Sequence, residues 1–260
     1  MTFSVKLSTM QAREEFYVGY VDRAPPATGR FVKRVVVSVM LALAATIAIV
    51  AASQDSLPSG VFEFGVQRDF EGVLYMEPLP YLRVVGPPGD DEAAATNLLL
   101  AGSGKHGLPE EFRRHHGRKV SFRGSLIYRE NLAMVEMNDL ASFREVGQPG
   151  PEEARPRSSP VAEVALTGEL VDTKCWLGVM RPATGKVHRA CAVRCLKGGV
   201  PPGLLVRDPE GNATVFMLVG REGHALGFDL QMAARSVEVR GKLEFADGLP
   251  VIRVTRMGLI

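Results

Sequence analysis

Four residues with metal-binding side chains lie within a short stretch of this 260-residue chain. Cys175 comes first, and His188, Cys191 and Cys195 follow it in the spacing C-x12-H-x2-C-x3-C, which uses all three cysteines of the protein. Three thiolates and one imidazole are a standard tetrahedral ligand set for zinc. Thiolate-rich sets also suit copper(I) or an iron–sulfur cluster. The stretch therefore predicts one metal site, with zinc favoured.

A helix over residues 188–197 would bring three of these four side chains together. At about 100° per residue, the histidine and the two later cysteines fall in one narrow stripe. Two glycines at positions 198–199 would end such a helix. The remaining ligand, Cys175, must then reach the stripe from the strand that precedes the helix.

An apolar run near the N-terminus predicts a membrane anchor. Residues 35–52 carry no charge, and about 18 helical residues span about 27 Å, close to the thickness of a bilayer core. Basic residues crowd the N-terminal flank, so the positive-inside rule places residues 1–34 in the cytoplasm. We therefore expect a single-pass anchor at 35–54, with the rest of the chain in the periplasm. A cleaved signal peptide is the alternative, because Val50-Ala51-Ala52 would suit a cleavage site.

This location keeps a second interpretation of the cysteines open. Outside the cytoplasm, thiols are oxidised readily, and a structural disulfide is the alternative to a metal. On a helix the Cα atoms of Cys191 and Cys195 would be about 6 Å apart, near the long end of the range for a disulfide. A bond from Cys175 to either of them is therefore the easier pairing. A redox-active or metal-transferring cysteine pair is a third possibility. If zinc binds, four protein ligands leave no open position, so the site would be structural and no catalytic residue is predicted.

The chain after the anchor contains an internal repeat. Residues 120–137 align without a gap with residues 237–254, and residues 98–108 align with residues 216–226. Further upstream, Gly72 corresponds to Gly168. Corresponding residues are about 118 positions apart in the segments 98–108 and 216–226, but only about 96 positions apart at Gly72 and Gly168. The second copy therefore holds an insertion of about 22 residues between these points. The insertion coincides with the cysteine-rich stretch.

Each copy has the pattern of a small β barrel. Period-two alternation predicts strands, and a short helix is expected in the middle of each copy. This order resembles an OB-type barrel. The predicted fold is therefore mostly β with an N-terminal transmembrane helix and two tandem OB-like barrels. The first covers 61–146, a Pro/Gly-rich linker covers 147–160, and the second, with the helical Cys/His insertion, covers 161–260.

The segment DTKCWLGVMRPATGKVHRACAVRCLKGGVPP, residues 172–202, resembles one found in bacterial membrane-anchored extracytoplasmic proteins. Those proteins combine OB-like modules with a Cys/His-rich insertion. The resemblance implies an anchored, extracytoplasmic protein and brings no named activity with it.

The charge balance argues against a nucleic-acid partner. The formal net charge is only +2, which gives no bulk attraction to a polyanion. The favoured function is a non-catalytic accessory subunit, anchored in the membrane and docked on a membrane-protein complex. The alternative is an electron-transfer or copper-handling subunit of a respiratory membrane complex that uses the same Cys/His residues. The sequence identifies no small-molecule substrate.

Overall fold

The computed structural model describes residues 25–55, 60–84, 96–151, 158–221 and 226–260. The chain divides into two compact units, Met1–Pro58 and Ser59–Ile260. Because the described residues begin at residue 25, most of the predicted cytoplasmic segment, 1–34, lies outside them.

The described part of the first unit is one long helix, α1 (Pro26–Asp55). Its stretch Pro26–Ser53 is long and apolar enough to cross a membrane, and none of its most apolar part is buried inside the protein. The helix begins nine residues before the predicted anchor at 35–54. Proline suits the first turn of a helix, and the lysine and arginines of the flank are good helix formers, so the basic flank is helical too.

The second unit is mostly β. Its described strands are β1 (Val61–Phe62), β2 (Arg68–Tyr75), β3 (Tyr81–Val84), β4 (Thr96–Gly102), β5 (Arg118–Arg129), β6 (Leu132–Gly147), β7 (Ser158–Asp172), β8 (Pro202–Arg207), β9 (Ala213–Val219), β10 (Ser236–Ala246) and β11 (Leu249–Leu259). A second α-helix, α2 (Gly185–Lys197), follows a π-helical turn at Cys175–Val179. The short helix expected in each copy is a 3₁₀ helix, at Glu110–His115 and Leu230–Met232.

Strands β7 to β11 form a closed five-stranded barrel in the order β10-β11-β9-β8-β7. The first copy forms a six-stranded sheet, β1-β5-β2-β3-β4-β6, in which β5 and β6 also pair. Apart from β1, the strand pairs of the two copies correspond one to one. The single parallel pair even has the same register, with Leu99 opposite Met134 in the first copy and Met217 opposite Val251 in the second. We call β2–β6 the first ring and β7–β11 the second ring.

The repeated glycines mark the same close strand crossing in both rings. A Cβ atom on Gly72 would lie 2.3 Å from the carbonyl oxygen of Arg83 on β3, and one on Gly168 would lie 2.5 Å from that of Leu205 on β8. Arg83 and Leu205 hold corresponding places in their rings. Any side chain larger than a hydrogen atom would therefore push two strands apart in either copy.

The two rings share an apolar core. One buried cluster contains residues of both, including Tyr81 and Leu99 from the first and Val171 and Met217 from the second. The predicted linker at 147–160 overlaps the last residue of β6 and the first three residues of β7, and residues 152–157 of it lie outside the described part. Because the cluster includes both rings, their contact is a packed interface.

Candidate metal centre

The insertion of the second copy replaces the short connection between two barrel strands. Strand β7 ends at Asp172, the π-helical turn starts at Cys175, and α2 follows. The helix predicted over 188–197 is confirmed and begins three residues earlier. Gly199 has a φ of +89°, a left-handed conformation that favours glycine at a helix end. The turn and the helix bring their sulfur atoms to one place.

The three thiols have the spacing of metal ligands. The Cys175 Sγ lies 3.8 Å from the Cys191 Sγ and 3.8 Å from the Cys195 Sγ, and all three cysteines are free. Sulfurs bound to a tetrahedral zinc at about 2.3 Å are about 3.8 Å apart. A disulfide bond would bring two of them to about 2.05 Å. The two separations from Cys175 therefore match edges of a tetrahedral thiolate site.

His188 is buried near the thiols, and the carboxylate of Asp172 fixes its ring by a hydrogen bond. Its Nε2 lies 2.9 Å from the Asp172 Oδ2, and both side chains are fully buried. The other oxygen of Asp172 accepts a hydrogen bond of 2.9 Å from the backbone N–H of Cys175. The Nδ1 of His188 is buried without a hydrogen-bond partner among the described residues. A histidine with one ring nitrogen fixed by a carboxylate and the other without a hydrogen-bond partner has an arrangement that metal-binding histidines commonly show.

Cys175 belongs to two groups of possible ligand atoms, one with His188 and Cys191 and the other with Asp172 and Cys195. The ligand atoms of Cys175, His188 and Cys191 lie within 4.8 Å of one another, and so do those of Asp172, Cys175 and Cys195. Both oxygens of Asp172 are already used by Cys175 and His188. Asp172 is therefore better suited to orient the ligands than to replace one.

The contact between two of the thiols moves their pKa values in opposite directions. The contact with Cys195, together with burial, raises the pKa of Cys175, and the same contact lowers the pKa of Cys195. The Nζ of Lys105 lies 2.7 Å from the Cys191 Sγ, and this hydrogen bond raises the pKa of Lys105. Lys105 lies after β4, in the first ring. The first ring thus supplies a positive charge to a group of residues that would carry negative charge as thiolates.

A buried lysine ties the insertion to the same loop of the first ring. Lys174 is 1% exposed, and its Nζ donates to the carbonyl oxygens of Gly102 and Gly104, each at 2.7 Å, and to the Glu136 Oε1 at 2.9 Å. The backbone N–H of Gly104 donates to the same carboxylate oxygen at 2.8 Å. All three donors of the ammonium group are therefore satisfied, which is what allows a charged lysine to be buried.

The loop and the end of α2 also meet backbone to backbone. The N–H of Gly107 donates to the carbonyl oxygen of Gly198 at 2.9 Å. A Cβ on Gly198 would lie 2.0 Å from the carbonyl oxygen of Lys105. Helix α2 is therefore packed tightly against residues 102–107, which we call the bridging loop.

Three of these residues are missing from the sequence prediction: Asp172, Lys105 and Lys174. Asp172 has a local signal, since it is an acid placed three residues before Cys175. Lys105 has none, because it is separated from Cys191 by 86 positions. Only the packing of the two rings brings it to the site.

Comparison with known proteins adds nothing to this picture: the chain matches no protein-family model and no curated protein sequence. The chemistry of the centre therefore rests on its own geometry. That geometry gives a group of Cys and His residues able to hold a metal ion.

Proposed function

We propose that this protein is a non-catalytic subunit, anchored in the cytoplasmic membrane, whose Cys175, His188, Cys191 and Cys195 hold one structural zinc ion. In this proposal α1 is the anchor, with the N-terminus in the cytoplasm. Both rings are OB-like barrels in the periplasm, and they dock on a partner in a membrane-protein complex.

The observation that carries the proposal is the group formed by Cys175, His188 and Cys191, whose ligand atoms lie within 4.8 Å of one another, together with the Nδ1 of His188, which is buried without a hydrogen-bond partner among the described residues. Leaving a buried nitrogen without a partner costs about 1–3 kcal/mol. A metal ion would satisfy this nitrogen and bind the three thiolates at the same time.

The burial of the ligands favours a structural ion. Cys175, His188 and Cys195 are each no more than 2% exposed. With four protein ligands the coordination sphere of zinc is complete, and no position remains for a reacting water. Such an ion contributes its binding energy to folding.

Two observations support docking by OB-like barrels. The rings share one pairing order, in which one parallel pair closes four antiparallel ones. This order supports the proposal of OB-like barrels, which bind ligands through a sheet face and adjoining loops. The second unit also exposes Phe64 at 84%, with Val61 and Val66 above 40%, all within six residues. Exposed apolar groups of this kind mark contact with a partner or a membrane.

One observation favours the alternative of electron transfer or copper handling. Cys191 is only partly buried, and a metal that is passed on must be reached from outside. Thiolates also bind copper(I) well. In this alternative the same four residues serve a respiratory membrane complex.

The test is elemental analysis with an absorption spectrum, made on the full chain purified in detergent. One equivalent of zinc without a visible band supports the structural proposal. Copper or iron with a visible band supports the alternative. Protein that contains no metal, and takes up neither zinc nor copper(I) nor iron with all three thiols reduced, would overturn both.

A matched pair of histidine variants assigns the ligand. We expect His188→Gln to lose zinc during gel filtration and to unfold at a lower temperature. His115→Gln is the control, since His115 contacts Glu145 in the first ring, and it should keep a full equivalent of zinc. Equal zinc content in the two variants would remove His188 from the ligand set.

A further inference from the structure

Residues 61–66, which comprise β1 and the tight turn after it, present three apolar side chains to solvent. We call this segment the apolar turn. Phe64 is 84% exposed, and Val61 and Val66 are 41% and 48% exposed. Gly65 follows Phe64 at the tip, and its φ of +79° is a left-handed conformation that suits glycine in a turn. The Phe64 side chain buries little apolar surface within the protein, so the fold itself gains little stability from it.

Backbone hydrogen bonds and an aromatic contact hold the apolar turn in place. The N–H of Glu63 donates to the carbonyl oxygen of Leu126 on β5 at 2.9 Å, and the N–H of Val66 donates to the carbonyl oxygen of Glu63 at 3.1 Å. Phe62 is partly buried against the apolar cluster that both rings share. Its ring meets that of Phe64 edge to face, with the two centroids 5.5 Å apart. The exposure of Phe64 is therefore a fixed feature of the fold.

A tyrosine lies on the same face as the apolar turn. Val61 is opposite Tyr128 on β5, and Phe62 is opposite Ile127. Residues opposite each other in a ladder project on the same face, and successive residues of a strand project on opposite faces. Because Ile127 is fully buried, Val61 and the partly exposed Tyr128 project on the outer face. Tyrosine is enriched where a protein crosses from lipid into water.

The charges beside the apolar turn also suit a lipid surface. Glu63 is the one acid of the segment, and both its carboxylate oxygens accept hydrogen bonds from Arg68, at 2.6 and 2.9 Å. The Arg68 side chain is 54% exposed, whereas that of Glu63 is only 18% exposed. The acid is therefore neutralised, and the guanidinium group is on the outside of the pair. Arginine binds phosphate groups well, and lipid headgroups carry them.

The apolar turn follows closely on α1, the anchor of the proposed function, on which this inference rests. Helix α1 ends at Asp55, and β1 begins at Val61. A connection of this length spans at most about 20 Å even when fully extended. The covalent chain therefore keeps the apolar turn near the surface of the membrane that α1 spans. Such a short tether gives a high effective concentration, so a weak interaction with that surface is sufficient.

The small size of the apolar turn favours lipid over a protein partner. A stable protein interface uses about 20–30 residues on each side, and this segment offers three apolar side chains. Insertion into lipid needs no matching surface. Complete burial of one phenylalanine side chain shifts an equilibrium by about 10–100-fold, which is enough for a domain that is already tethered.

We propose that the apolar turn inserts into the periplasmic leaflet of the membrane that α1 spans. Phe64 enters the boundary between headgroups and acyl chains, while Tyr128 and Arg68 lie at the level of the headgroups. The π-helical turn of the insertion packs directly on this segment, since a Cβ on Gly178 would lie 2.7 Å from the backbone of Val61. Insertion of the apolar turn therefore also fixes the orientation of the Cys/His residues relative to the membrane.

A tryptophan in place of Phe64 reports the depth of the apolar turn. The full chain with Phe64→Trp is reconstituted into vesicles of phosphatidylcholine and phosphatidylglycerol, and the emission of the buried Trp176, measured on the wild type, is subtracted. Brominated lipids quench tryptophan on contact. We expect most of the added emission to be lost with bromines near the headgroup end of the acyl chain, and less with bromines near its methyl end. No loss with either lipid, or a greater loss with the deeper bromines, would overturn the proposal.

The matched control is Phe245→Trp, because Phe245 is an exposed phenylalanine on β10 of the second ring. Its added emission should be unaffected by brominated lipids and quenched by acrylamide, which stays in the water. The Phe64→Trp variant should show the opposite response to the two quenchers. An equal response of both variants would overturn the proposal and leave a protein partner as the occupant of the apolar turn.

Val66→Trp keeps the test valid if Phe64→Trp does not fold, since Val66 is exposed in the same segment and should also be quenched by the brominated lipids. An alkaline carbonate wash of the vesicles tests the anchor separately. A chain that is washed off has no anchor, and this proposal then fails together with the proposed function. A chain that stays on the vesicles, but shows no quenching by lipid in either variant, overturns the role of the apolar turn alone.

Discussion

The two rings share every strand pair and differ most in one connection. In the first ring, β2 leads to β3 through five residues, from Tyr75 to Tyr81. In the second, the corresponding connection from Asp172 to Pro202 holds the whole Cys/His insertion. The barrel register is unchanged by this addition. A new centre can therefore be added at a turn while the sheet stays as it was, which is how loops usually acquire function.

The comparison also shows that the first ring takes part in the centre. Lys105 of the first ring donates a hydrogen bond to the Cys191 Sγ, and Glu136 of the first ring accepts one from Lys174 of the insertion. The first ring, which contains none of the four predicted ligands, thus contacts and stabilises the insertion that contains them. The following experiments test this division, from the largest expected effect to the smallest.

The largest effect is expected at the buried ion pair between the rings. Lys174→Met should lower the free energy of unfolding by about 3–5 kcal/mol, because it leaves the carboxylate of Glu136 buried without its cation. Urea denaturation measures this. Lys242→Met is the control: Lys242 and Glu163 are each 71% exposed, and losing such a pair costs less than about 1 kcal/mol. Similar costs in the two variants would mean that Lys174 does not join the rings.

The repeated glycines test whether the two copies tolerate the same change. Gly72→Ala and Gly168→Ala should each cost about 1–3 kcal/mol, since both place a methyl group against a strand carbonyl. Gly258→Ala is the control, because a Cβ there would meet no atom within 4 Å. A large cost in one ring and none in the other would show that only one of the crossings is rigid.

A substitution at Asp172 shows whether this residue orients the metal ligands or is itself a ligand. Asp172→Asn should weaken zinc binding by about 10–100-fold, the usual effect of losing a carboxylate that orients a histidine ligand. Asp208→Asn changes an exposed acid in the turn after β8 and should leave zinc affinity unchanged. Competition with a chelator measures both variants. Complete loss of zinc in Asp172→Asn would indicate direct coordination.

The smallest effect concerns alkaline pH and belongs to the first ring. Burial and the hydrogen bond to Asp247 raise the pKa of Tyr81, and burial raises that of the stacked Tyr75. The second ring has Val171 and Gly203 at the corresponding places. Because the folded state keeps these protons more tightly, the stability they contribute is complete below about pH 10, the usual tyrosine pKa, and falls as pH rises above it.

Tyr81→Phe should therefore reduce this fall. At neutral pH it should cost about 1 kcal/mol for the lost hydrogen bond, and above pH 10 its unfolding free energy should decline less steeply than that of the wild type. Urea denaturation between pH 8 and pH 11 measures both effects. An equally steep decline in the variant would place the alkaline sensitivity elsewhere.

The local features of this protein could be predicted from the sequence. The helix that carries His188, Cys191 and Cys195 follows from their spacing and from the glycines behind it. Corresponding glycines such as Gly72 and Gly168 revealed the repeat, because a close strand crossing excludes other residues. Helix content in the basic flank before residue 35 was missed, since the prediction followed hydropathy and not helix propensity.

The contacts between the rings could not be predicted. Lys105 and Lys174 look like ordinary solvent-exposed lysines in the sequence, and both are used only because a distant segment lies next to them. Such information is contained in tertiary packing and not in local pattern.

The bridging loop also has a consequence for the order of assembly. It lies about 70 residues before Lys174 in the chain, and N-terminal domains generally fold first during synthesis. We therefore expect the first ring and its loop to be in place before the ligand-bearing helix is made. The last cysteine would then reach a surface that is already formed, so the first ring would serve as a template on which the metal centre is completed.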